Sequence, residues 1–343
     1  MSVTDQAARR FRNLAYATAA LTFLLIIVGG VVRISDSGLG CGAAGSGTEG
    51  WPLCGGGLLP AVDTNMIVEY THRIIAGVVA VLIAYLAWTA WRTRRSERLL
   101  VRVSIGAFVL ILLQAALGGL TVEKGLEEEL VATHLGVAML QIGLVLLMGR
   151  LGGPEPVTSV KFGGTRALRI VTPIALVAVL ATIVAGGYMS ASELHGTGQE
   201  VLSVDAHMAC GDEFPSCGGE FLPFGRSTAL DIHLTHRALM YVAVTVLLTL
   251  FTVLMRQRRR LDPDSAAALT RLGLGIVGVM LIQVLLGAVN VWAGEHAWLI
   301  VAHLAGGALL WVSLVLFALR LTAVPQVSPA GARNRKGVEA VAA

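Results

Sequence analysis

Charge is what this sequence has least of. Only 14% of its residues are Asp, Glu, Lys or Arg, against about 25% in an ordinary soluble domain, which excludes a water-soluble globular chain and points to lipid as the solvent. A basic face is missing too. The net charge is +4, but the basic residues sit in short clusters between apolar runs, which excludes a nucleic-acid partner. The first apolar run also lacks a small-x-small cleavage site. It continues straight into Gly29-Gly30-Val31-Val32-Arg33, so it reads as a membrane span and not as a cleaved leader.

What the sequence does have is long apolar runs. Eight are predicted to be membrane helices, over 14–32, 66–91, 101–121, 130–149, 168–190, 231–255, 270–292 and 297–320. Each is near the ~20 residues that span a hydrocarbon core. All but five of the 26 lysines and arginines fall at one end of these spans; the five are Arg33, Arg73, Lys124, Arg226 and Arg237. By the positive-inside rule both termini are cytoplasmic, and the Gly-rich loops 33–65 and 188–230 lie outside. The expected fold is an all-α integral membrane protein of two four-helix bundles. Residues 1–150 form one half and 168–322 the other, with a cytoplasmic linker at 151–167 and a cytoplasmic tail at 323–343.

All four cysteines lie in the two outer loops: Cys41 and Cys54 in one, Cys210 and Cys217 in the other. That compartment permits disulfides. Four cysteines allow three pairings, of which pairing within each loop is the simplest. The short loop between Cys210 and Cys217 closes readily.

The halves are duplicates. Gly29-Gly30 is echoed by Gly186-Gly187, Trp51-Pro52-Leu53-Cys54-Gly55-Gly56 by Phe214-Pro215-Ser216-Cys217-Gly218-Gly219, and Thr71-His72-Arg73 by Thr235-His236-Arg237. Gln114 pairs with Gln283 and His134-Leu135 with His303-Leu304. An even number of helices per repeat keeps both halves in one orientation, related by an axis along the membrane normal.

Each half therefore places one histidine near the outer start of its second helix and one near the outer start of its fourth: His72 with His134, and His236 with His303. Ionisable residues inside spans are costly and usually functional. Two such imidazoles at matched depth, with no thiolate or carboxylate cluster beside them, suit haem iron better than zinc. Glycines such as Gly77, Gly118, Gly119, Gly136, Gly287, Gly306 and Gly307 allow either close helix packing or the approach of a flat macrocycle. Arg73 and Arg237 are candidate partners for haem propionates. Gln114 and Gln283 offer either interhelical glue or pocket polarity. His195, His207 and His296 are expected to be solvated. The halves differ at one telling place: Glu69 shares a helical face with His72, whereas His233 holds that register beside His236. A carboxylate there is a candidate base or charge stabiliser.

Together these stretches resemble the haem A synthase family of cytochrome oxidase assembly. The resemblance is carried by 29–41, 51–56, Glu69–Arg73, 117–122 and 133–136 and their second-half echoes. It implies an oxidoreductase that converts the C8 methyl of haem O to a formyl, giving haem A. It further implies haem O between His72 and His134, haem b between His236 and His303, Glu69 as the catalytic carboxylate, and a part for the first-loop cysteines. The family keeps that first pair close, whereas here residues 42–53 separate Cys41 from Cys54. The implied setting is a bacterial plasma membrane. The implied partners are haem O, the haem O synthase that supplies it, lipid and an electron acceptor of open identity; assembly of several copies is also left open. The competing reading is a di-haem b cytochrome passing electrons between a quinone and a partner, which has no evident need of Glu69.

Overall fold

The structure, a computed structural model, describes residues 3–59, 62–154, 161–192, 206–294, 296–323 and 326. Its eight long helices are α1 (Val3–Ile34), α2 (Thr64–Thr93), α3 (Arg98–Glu123), α4 (Glu128–Leu151), α5 (Arg166–Ala191), α6 (Thr228–Gln257), α7 (Pro263–Ala293) and α8 (Ala297–Leu321). All eight are long and apolar enough to cross a membrane, and the described residues contain no strands, only isolated bridges. The fold is thus an all-α, multi-pass membrane bundle, with one helix at each predicted span.

The helices overrun the predicted spans where polar turns continue them beyond the apolar stretch. α1 begins at Val3 and α7 at Pro263. Asp262 sets the start of α7 by accepting the Ser265 N–H at 2.9 Å, with proline in the first turn, where no N–H is needed. That bond, the largest influence on Asp262, holds its carboxyl below the usual range. At the other end α2 and α6 share a repeated start: Asp63 accepts from Met66 N–H and Ser227 from Leu230 N–H.

Packing follows the duplication. Within each half the first helix packs on the second and fourth, and the third lies on the fourth. The halves meet through α1 on α8 and through its repeat counterpart, α5 on α4. The second glycine of each Gly-Gly pair makes these contacts close. A β-carbon at Gly187 would lie 2.8 Å from a methyl of Leu135, and one at Gly30 would strike Leu304. These leucines directly follow the fourth-helix histidines. Trp311 adds a polar tie between halves, donating Nε1–H to the Met139 carbonyl at 2.7 Å.

Candidate functional site

The two cysteine loops close over the same end of the bundle, and each carries a disulfide. Cys41 pairs with Cys54 and Cys210 with Cys217, at Cα separations of 4.3 and 4.9 Å. Pairing is therefore within each loop, and the residues inserted in the first loop do not prevent it. After the second cysteine the chain reverses in the same way twice. Gly55 and Gly56 have φ of 61° and 76°, and Gly218 and Gly219 have 61° and 74°. Two successive positive φ values are the pattern of a type I′ turn and favour glycine. This accounts for the repeated Cys-Gly-Gly. Glu213 braces the second loop by accepting Gly219 N–H at 2.9 Å and the Ser216 hydroxyl at 3.2 Å. The Gly219 bond chiefly holds its carboxyl below the usual range.

Arg73 and Arg237 anchor these loops from below. Arg73 donates Nη1 to the carbonyls of Gly50 and Leu53 at 2.7 and 2.9 Å, and Nη2 to Glu69. Arg237 donates to the carbonyls of Ser216 and Glu213 at 2.9 and 2.7 Å. The accepting positions are repeat equivalents. Neither arginine simply reaches out to water, because each guanidinium sits under a loop and lines the cavity beneath it. A guanidinium carries five donors, so these bonds leave capacity for an anionic ligand.

That cavity, about 700 Å³, is lined from both halves and includes His72, His134, His236 and His303. Its walls are mostly apolar, as in ordinary ligand sites. Each histidine lies against a glycine of the preceding helix. Ideal β-carbons at Gly29, Gly118, Gly186 and Gly287 would lie 3.1, 3.1, 2.9 and 3.1 Å from Cε1 of His72, His134, His236 and His303. These four glycines are notches for imidazole rings. Of the other glycines read as room for a macrocycle, Gly77 and Gly307 line the cavity. Gly119 instead receives Trp51, Gly136 packs on Val184, and Gly306 meets Gln283.

Gln114 and Gln283 serve both expected purposes. Each donates its amide to the carbonyl of the following helix's histidine, His134 at 2.9 Å and His303 at 2.7 Å. Both also line the cavity.

The second-half histidines are spaced to share a metal. The rings of His236 and His303 are 6.4 Å apart, centre to centre. Two nitrogen–metal bonds of about 2 Å, plus the half-width of each ring, give roughly that separation. Nδ1 of His236 meets the Thr182 carbonyl at 3.1 Å, which leaves Nε2 as the metal-facing nitrogen. Nδ1 of His72, His134 and His303 is buried without a protein partner.

Glu69 is 3% exposed and lies beside His72 and Arg73 on the cavity wall. It is therefore no solvated helix-end carboxylate. One oxygen pairs with Arg73, and the other accepts the Cys41 N–H at 2.7 Å. In the second half His233 holds the repeat position and meets a different loop group, the Ala206 carbonyl at 2.8 Å through Nδ1. His207, expected in solvent, lines the cavity instead. The 3₁₀ turn His207–Cys210 carries it inward, a local reversal that hydropathy does not register. His296 is exposed as expected, and His195 lies outside the described residues.

Residues 12–315 match the cytochrome oxidase assembly protein family, COX15-CtaA. The chain belongs to this family. Family relatives named heme A synthase support the same placement. One from Halalkalibacterium halodurans is 32% identical over 67% of this chain and 70% of its own. Another from Alkalihalophilus pseudofirmus is 30% identical over 72% and 76%. A third from Symbiobacterium thermophilum is 31% identical over 76% and 80%. The family match runs through both histidine pairs and both cysteine loops.

Proposed function

We propose that this chain is a haem A synthase, oxidising the C8 methyl of haem O to a formyl in the first half while the second half holds haem b. The observation that carries the reading is the asymmetry between otherwise duplicate sites. A buried carboxylate, Glu69, stands beside the first histidine pair, and an imidazole, His233, occupies its place beside the second. A passive relay has no need of a carboxylate beside one of its two sites. A reacting site needs one group that answers developing charge.

In this reading His236 and His303 ligate the resident haem b, which supplies one-electron transfer when bound. His72 and His134 hold the substrate, with Arg73 and Arg237 available to propionates at the loop end. Oxidation of –CH₃ with one water gives –CHO, and the removed electrons pass to an external acceptor. Hydroxymethyl lies between, and each stage removes two electrons and two protons. Glu69 stabilises the cationic carbon from which electrons have been drawn, and it takes a proton from the attacking water. Arg73 and the Cys41 N–H hold that carboxylate in place, so the first disulfide loop positions the base. A carboxylate accepts more hydrogen bonds than these two, which leaves a lone pair for water. The protein lies in the plasma membrane with both termini in the cytoplasm.

The test is expression in a host that makes haem O but no haem A, followed by extraction and chromatography of the haems. A formyl haem should appear only with this chain present. Its absence from membranes that contain the folded protein would refute the assignment.

A further inference from the structure

The duplication permits a position-by-position comparison of the two compartments below the histidines. On α4, Gln141 lies seven residues after His134, on the same helical face and about 10 Å deeper along the axis. It lines the cavity and is 1% exposed, yet neither its Nε2 nor its Oε1 has a protein partner. Its equivalent in the second half is Leu310. Thr22, on the facing wall of α1, shows the same contrast. It is 3% exposed, its hydroxyl donates to the Thr18 carbonyl at 2.8 Å, and its second-half equivalent is Val179. At this depth the first half is polar where the second is apolar; one turn nearer the histidines the order reverses, with Leu25 in the first half and Thr182 in the second. Ala76, Ala80 and Ala115 line the first half of the cavity where Met240, Val244 and Val284 line the second.

A buried amide with no partner is costly in an apolar site, by the full desolvation of its donor and acceptor. The ligand that removes this cost carries a hydroxyl or carbonyl at its inner edge. Haem O fits, because the hydroxyl at the root of its farnesyl chain lies on the opposite side of the ring from the propionates. Haem b carries a vinyl group there and leaves the amide unanswered.

We propose that Gln141 is the specificity-determining residue of the first half, hydrogen-bonding the chain-root hydroxyl of haem O and so discriminating against haem b. This rests on the haem A synthase reading above. Thr22 supports the same contact, since its oxygen still accepts while its proton is held by Thr18. The second compartment, with Leu310 and Val179, suits a haem whose inner edge is wholly apolar.

The test uses full-length protein already loaded with haem b in its second half, as wild type, Gln141→Leu and Gln141→Met. Each is titrated with haem O and, separately, with further haem b, following the Soret band. Both variants should bind haem O about ten- to hundred-fold more weakly than wild type. Their affinity for added haem b should be unchanged or raised. Their haem O-free melting temperature should equal or exceed that of wild type, because an unanswered amide has been replaced by alkyl surface. Wild-type affinity for haem O in both variants would overturn the proposal. So would an equal loss for both haems, which marks plain packing, or a lowered melting temperature, which marks an amide that serves the fold. Wild-type protein that binds no haem O at all would overturn the haem A synthase reading itself, and this proposal with it.

Discussion

At the scale of single residues, Glu69 bears the most weight. It holds the Cys41 backbone and the Arg73 guanidinium at once, so it has a structural duty beside its proposed chemical one, and Glu69→Gln keeps the Cys41 bond while removing the Arg73 ion pair and the charge. The amide keeps an acceptor for the Cys41 N–H but loses the charge. If charge drives the reaction, this variant should retain both haems and accumulate haem O or its hydroxymethyl derivative. Turnover should fall about 10²–10³-fold, measured by chromatography of extracted haems. Wild-type haem A yield from the folded variant would show that the carboxylate only anchors the loop. The four histidines were legible in the sequence because the duplication marks them, and Glu69 because it lies one helical turn from His72. Gln141 was not, since its repeat partner is a leucine and a lone glutamine in an apolar run carries no signal before its neighbours are known. The inward turn of His207 was hidden for the same reason: it depends on the fold of a loop.

At the scale of elements, the Gly-Gly pairs join site and scaffold. The first glycine of each pair receives a histidine of its own half. The second receives the leucine beside a histidine of the other half. Ligand position and docking of the halves therefore depend on adjacent residues of one helix. Gly186→Ala should push the His236 ring, whose Cε1 lies 2.9 Å from the added carbon, and should destabilise by about 1–3 kcal/mol as overpacking does. It should also perturb the haem b spectrum. Gly278→Ala, where a β-carbon meets nothing within 4 Å, should be neutral or stabilising by up to ~1 kcal/mol through helix propensity. Thermal melts and absorption spectra of the two variants check this. Equal behaviour would mean that the notch is not a constraint. Repetition made the paired glycines visible in the sequence, but not which of them face rings, because a glycine's partner is set by tertiary packing.

At the scale of the whole molecule, the membrane orientation and the division of labour are each directly measurable. Eight spans were legible because lipid demands long apolar helices. The skew of basic residues predicts a cytoplasmic 92–102 loop. A cysteine placed in that loop should react with an impermeant thiol reagent only after the membrane is opened, and labelling of sealed cells would invert the topology. The central claim is that duplicate halves do different work: the first transforms a haem and the second keeps one. Gln141 and Thr22 in the first half, set against Leu310 and Val179 in the second, agree with that division. The most direct measurement is the low-spin b-type absorption signal of the purified protein, compared between His236→Ala and His72→Ala. The signal should vanish in His236→Ala and persist in His72→Ala, which should make no haem A. Persistence in His236→Ala with loss in His72→Ala would mean that the halves are assigned the wrong way round.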